Sequence, residues 1–244
     1  MANMALLNNV DHADLKVIAD HGAAFGDALN MAAVYPTEFV EVQREYPILF
    51  QKDESAGFRA VALLGFDAGE NLFLDTTGWR ARHIPMIHQR GPFKIGFQDQ
   101  EVGGQTRREP IIYIDLDHPR VSKTEGRPLF LPNGGHSPYL QHVSHVLRVL
   151  HIGAEVTAPM FTAFEEAGLI EPAALDVNLD DPTRYTVPDI YTISGDKLAA
   201  LGGSELENLH KAGYLRAAYM VLASMPNVNR LIAMKNARRA GEVS

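Results

Sequence analysis

Residues 78–93, GWRARHIPMIHQRGPF, bring together the chain's single tryptophan, three arginines, two histidines and two prolines. Trp79 offers a flat apolar face, while Arg82 and Arg90 offer planar pairs of donors suited to a carboxylate or phosphate. Rigid, aromatic and cationic residues are denser here than elsewhere in an acidic chain. A candidate ligand-binding site is therefore expected where Trp79, Arg82, His83 and Arg90 converge near Tyr46. The competing account is structural: Trp79 packs on a sheet and the arginines pair with carboxylates such as Glu70 or Asp75. The two X-Pro bonds stiffen the segment under either account.

Other clusters carry less. His142 and His145, three apart, could share a metal on a helix surface, but they lie opposite the stripe Leu140, Val143, Leu147, Leu150 and should face solvent. In Asp115-Leu116-Asp117-His118 a period of two puts both aspartates on one side of a strand end. That run lacks the order of familiar facial triads and zinc helices, and a strand-end cap or an ion pair with Arg120 is the plainer account. GFDAGE and PNGGHSP lack phosphate-loop spacing, and Ser137 beside His136 has no orienting carboxylate in sequence. No catalytic residue, metal ligand set or cofactor is assigned, and whether the chain is an enzyme stays open.

The elements that must hold these residues change character along the chain. From 15 to 117 the apolar runs are short and densely punctuated, as in an antiparallel sheet. FRAVALLGF (58–66) and ENLFLD (70–75) flank Asp67-Ala68-Gly69 and read as a hairpin. FKIGF (93–97) and PIIYIDL (110–116) read as strands, with the polar QDQEVGGQTRRE between them as a mobile loop. Pro36 suits the start of a short helix that ends at Tyr46-Pro47. After Arg120 a helical period appears: one helix over 137–150, a second over 157–168 stopped by Gly168, then the extended pieces ALDVNL and RYTVPDIYTI. Ser204-Glu205-Leu206-Glu207 resembles a capping box, with helices near 204–212, 214–224 and 227–239. Leu215, Tyr219, Leu222 and Met225 form an apolar stripe that Leu231 and Met234 continue. The expected fold class is α+β: one domain over 1–244, strand-rich over 1–120 and helix-rich over 121–244.

At 244 residues and 46% hydrophobic, the chain has material for a real core. A net charge of -8 argues against general affinity for nucleic acid or anionic lipid, both of which need a positive field. With no cysteine there is neither a disulfide nor a thiolate site. The longest apolar segment, 217–225, falls short of a membrane span, and the opening residues lack a signal-peptide pattern. A cytoplasmic protein is expected.

YPTEFVEVQREYPILF (35–50), VALLGFDAGENLFLD (61–75), the GW…IP…PF stretch, GRPLF (126–130) and the tail from YTISGDKLAAL to MPNVNRL together resemble the bacterial SapC family. Where that family reads R-R-Y-P-F, this chain has Gln89-Arg90-Gly91-Pro92-Phe93, which weakens any anion site built on an arginine pair. The family's D-x-x-S-P-R appears as Asp115 to Arg120 with His118 in the serine position. The resemblance implies a protein of Gram-negative bacteria, associated with surface-layer proteins or with genes for flavin-dependent tryptophan halogenases and TonB-dependent receptors. The reading placed first is a non-catalytic binding or accessory protein with a small-molecule, peptide or protein partner; a homo-oligomer is compatible with it. An enzyme, metal-dependent through DLDH, and a surface-layer component are the alternatives.

Overall fold

Five short strands pair antiparallel in the order Ile170–Pro172, Ile190–Ile193, Ile48–Asp53, Gly57–Leu63, Met31–Ala33 to make the central sheet. The computed structural model describes residues 3–102, 105–179 and 184–242. Ile48, Leu49 and Phe50 and, opposite them, Ala62, Val61 and Ala60 are all buried, which explains their unbroken apolar run. Phe161 and Phe164 of a long helix pack on Phe50, with ring centroids 4.9 and 6.4 Å away. The helix Tyr214–Ser224 closes against the same sheet through Ala217, Ala218 and Val221. Its Ser224 hydroxyl accepts the Ile48 backbone N–H at 2.8 Å, so a buried donor is satisfied from another element.

A second sheet joins Met4–Leu6, Gln105–Asp115 and Phe93–Val102. Phe93 and Ile114, paired across it, meet Leu140, Val143 and Leu147 of the long helix in a separate hydrophobic cluster. One helix, Pro138–Glu166, therefore spans both cores. A third, small sheet places Lys16–Val17 between Val121–Ser122 and Arg127–Pro128, and fixes the loops on either side of it.

The α+β class and the strands-then-helices order hold; the expected extended pieces form the strands Leu175–Asn178, Arg184–Val187 and Ile190–Ile193, and Ile170–Pro172 is an addition. Several local expectations need correction. Residues 58–66 and 70–75 do not form a hairpin: Gly57–Leu63 pairs with Ile48–Asp53, and Leu74–Asp75 turns back on Gly78–Trp79. Glu70 folds over Gly65 instead, accepting the Phe66 N–H at 3.1 Å, and this tightens the Asp67-Ala68-Gly69 turn into a loop that leaves the sheet.

The polar stretch 98–109 is also strand, in continuous register from Gln98↔Glu109 to Val102↔Gln105; Gly103 and Gly104 lie outside the described residues. The two expected helices are one. Ser137 caps it by accepting the Leu140 N–H, and the chain stays helical through Pro159 because Met160, Phe161 and Phe164 are buried beyond it. A proline there costs about 3 kcal/mol, which burial of three large side chains at about 1.5–3 kcal/mol each can offset. Gly168, at φ +64°, provides the stop as expected.

The capping box at 204–207 is not formed; helix Gly203–Lys211 begins one residue earlier without a side-chain cap. Finally, Tyr219 is 54% exposed. The small side chains Ala217, Ala218 and Ser224 face inward and allow close approach, leaving Leu215, Leu222 and Met225 at the margin of the core.

Candidate functional site

Asp27 sits in a loop just after the turn Ala23–Phe25, where Gly26 adopts φ +83° and reverses the chain. Its carboxylate is buried and fully engaged. Oδ2 accepts from Arg120 Nη2 at 2.7 Å and from the Gly22 N–H at 2.9 Å, and lies 3.2 Å from His21 Nδ1. Oδ1 lies 2.9 Å from His88 Nδ1. Burial alone would raise this carboxyl, but the hydrogen bonds from His21, His88 and Gly22 and the charge of Arg120 overcome it and hold Asp27 well below 3.8. Arg120 is equally committed: Nη1 donates to the carbonyls of Ile18 and Asp20, and the guanidinium stacks 4.7 Å from the Phe25 ring. The pair therefore forms a neutral, fixed floor.

Above that floor is a cavity of about 240 Å3 whose lining includes Asp27, Ile87, His88, Arg90, His118 and Arg120. Arg90 follows the short helix Met86–Gln89 and is half-buried. Among the described residues its guanidinium has no carboxylate partner and no side-chain hydrogen bond. Gly91, next to it at φ +52°, leaves space beside Arg120. His118 accepts the Arg120 N–H on Nδ1 at 3.1 Å, which leaves its proton on Nε2 as a donor. Burial, then the charge of Arg120, pushes His118 below its ordinary 6.5, so it stays neutral at physiological pH. His88 keeps Nδ1 on Asp27, while its Nε2 is buried with no hydrogen-bond partner among the described residues. The cavity thus offers one uncompensated cation and a neutral imidazole donor, with the unpartnered His88 nitrogen buried behind its wall.

Three of the residues expected from sequence join in one hydrogen-bonded chain beside this floor. Trp79 Nε1 donates to the Tyr46 hydroxyl at 2.8 Å, which donates to the His83 carbonyl at 2.5 Å. The Trp79 ring lies 5.0 Å from His88 and 5.7 Å from His21, the two imidazoles that grip Asp27. Tyr46 is fully buried, and burial pushes its hydroxyl well above the ordinary value of 10.0. His83 Nε2 lies 2.9 Å from Glu38 Oε2, which also accepts the Met86 N–H and so anchors the helix that carries His88.

Arg82 parts from this group. Glu45 clamps its backbone N–H at 2.7 Å, and its exposed side chain lines two other depressions, one with Glu41, Arg44 and Arg230 and one with His21, Gln89 and Arg120. Arg90 thus lines the cavity, Tyr46, Trp79 and His83 pack beside its floor, and Arg82 lines the neighbouring depressions. Of the carboxylates proposed as partners, Asp75 takes Arg80 and Glu70 takes Lys235.

The DLDH run caps its strand: Asp115 Oδ1 accepts the Asn3 N–H at 2.9 Å and the Asp117 N–H at 3.3 Å. Arg120 pairs with Asp27 rather than with either aspartate. His142 and His145 are exposed, beside Gln89 and Arg148. Among the described residues no group of three or more His, Cys, Asp or Glu is placed to hold a metal ion. Asp27, His21 and His88 were not singled out from sequence; the nearest signal was the arginine that ends Asp115 to Arg120.

An α+β chain with a buried Asp–Arg–His floor under a small cationic cavity is the class that this geometry defines. The SapC family matches residues 7–231, and the chain belongs to that family. No curated protein and no solved structure matches it. No helix among the described residues is long and apolar enough to cross a membrane.

Proposed function

We propose that this SapC-family chain is a non-catalytic binding protein that holds the carboxylate or phosphate of a small, amino-acid-like molecule against Arg90. One observation carries the reading: Arg90 is half-buried at a cavity, and among the described residues nothing neutralises it. A guanidinium held partly out of water without an anion is costly, and an incoming anion relieves that cost. His118 adds a second donor, and the Asp27–Arg120 pair contributes no net charge to oppose it. Tyr46, Trp79 and His83 serve by fixing the floor and the helix before Arg90. Arg82 belongs to a neighbouring surface that a larger partner would cover.

In this reading the protein is an accessory to outer-membrane uptake or to flavin-dependent halogenation, acting in the cytoplasm. Purification of the untagged chain from its native cell, followed by mass spectrometry of bound small molecules, tests it. The expected result is an anionic ligand that is depleted in Arg90→Ala. The same ligand at the same occupancy in both proteins refutes the assignment to Arg90.

An enzyme is favoured by one feature only, the imidazole of His88 held by a carboxylate with Nε2 unpartnered, which would serve as an oriented base once a movement of the wall exposes that buried nitrogen. If the ligand found is chemically changed by wild type, and His88→Gln lowers that rate by about 100-fold while still binding it, the enzyme reading replaces the binding one.

A further inference from the structure

A second cavity, of about 620 Å3, lies between the N-terminal half of the long helix and the sheet that faces it. Its walls are apolar on three elements: Leu7 from the N-terminal strand's end, Ile95, Phe97 and Ile112 from the hairpin, and Leu140 and Leu147 from the helix. That volume falls within the roughly 300–1,000 Å3 typical of sites for small organic ligands. The polar lining is confined to Ser144, Arg148, His136 and His151. Ser144 donates to the Leu140 carbonyl at 2.7 Å and His151 lies 3.3 Å from Glu155, so both are occupied.

Arg148 differs from them. Among the described residues its one polar contact is 3.3 Å from Nη2 to His145 Nδ1, and no carboxylate meets it. Nearby, the Arg108 guanidinium stands 4.6 Å from the centre of the Phe97 ring. An apolar chamber with an uncompensated guanidinium in its lining complements a molecule that is apolar along its length and anionic at one end. A flat partner surface would fit poorly, because the walls come from three elements and form a concave space.

We infer that this cavity is a binding site for a single-chain carboxylate amphiphile of fatty-acid type, separate from the Arg90 cavity and independent of what that cavity holds. The carboxylate meets Arg148, and the chain lies between Ile95 and Ile112 on one side and Leu140 and Leu147 on the other.

Equilibrium dialysis of the full chain with radiolabelled decanoate and with 1-decanol tests the inference, with thermal melts to show that each variant is folded. Decanoate should saturate at one molecule per chain. Arg148→Gln, an exposed position, should weaken decanoate by about tenfold or more while leaving 1-decanol within about threefold of wild type. Ser144→Phe, which fills the chamber from the helix, should abolish both; Ile112→Trp on the hairpin wall serves if that variant does not fold. Absence of saturable decanoate binding to wild type overturns the inference. So does an Arg148→Gln effect equal for the two ligands, or undiminished binding in the filled variant.

Discussion

Asp27 and Arg120, each 3% exposed, are a buried ion pair whose two members would be costly to bury singly. Asp27→Asn leaves Arg120 without a countercharge and should destabilise the protein by about 3–5 kcal/mol, read as a lower denaturant midpoint at unchanged slope. Because the folded carboxyl is held below its ordinary 3.8, the stability it supplies is fully present above that value. It is lost as the pH falls further towards the depressed value, so wild type should lose stability below about pH 4 more steeply than Asp27→Asn does. An acid profile identical in the two proteins would contradict the assignment.

Tyr46, Trp79 and His83 were legible as a group because large aromatic and aromatic-cationic residues in a stiffened segment have few ways to be satisfied. Asp27 was not legible: its charge partner lies 93 residues away, and AFGDALN has no spacing that announces it. Arg82 stands outside the Arg90 cavity, since an arginine's type does not tell which side of a loop it takes.

Helix Pro138–Glu166 sets the distance between the two cores, and its closest crossing is at Gly153. A Cβ there would stand 2.5 Å from Tyr35 Cβ and 2.6 Å from Thr37 Oγ1. Helix propensity alone favours alanine over glycine by about 1 kcal/mol, whereas overpacking typically costs about 1–3 kcal/mol. Neither Tyr35 Cβ nor the short Thr37 side chain can swing away, so Gly153→Ala should be net destabilising by about 1 kcal/mol or more. A calorimetric melt at or above the wild-type temperature would show that the crossing yields. The stripe Leu140, Val143, Leu147, Leu150 was readable in advance because its period is local. The helix's continuation was not, because Pro159 is a local stop signal that only the burial of Phe161 and Phe164 overrides. Likewise the polar strands at 98–109 form from pairing across the hairpin rather than from apolar alternation.

Across the whole molecule, the C-terminal helices close the central core, and two charges of the last helix turn inward. Lys235 is buried against Asp67 and Glu70 at 2.6 and 2.7 Å, and Arg238 donates to the carbonyls of Asn71, Leu72 and Leu74. The local basicity of the last helix thus serves the fold. We propose that residues 1–244 form one cooperative domain, and truncation after Gly213, which removes Val221, Ser224, Val228 and Leu231 from the core, should give insoluble or protease-sensitive protein. A truncated chain with the wild-type melting temperature would show that these helices dock on nothing.

The Arg90 cavity has a built-in reporter, since Trp79 is the chain's single tryptophan and its ring lies 5.0 Å from His88 in the cavity wall. Titration of wild type and Arg90→Ala with inorganic phosphate, followed by tryptophan fluorescence, measures anion binding there directly. A saturable change in wild type, shifted to about tenfold or higher concentration in a folded Arg90→Ala, is the result expected of an anion held by that guanidinium. A saturable response unchanged by Arg90→Ala, or no response to phosphate in wild type, would contradict it.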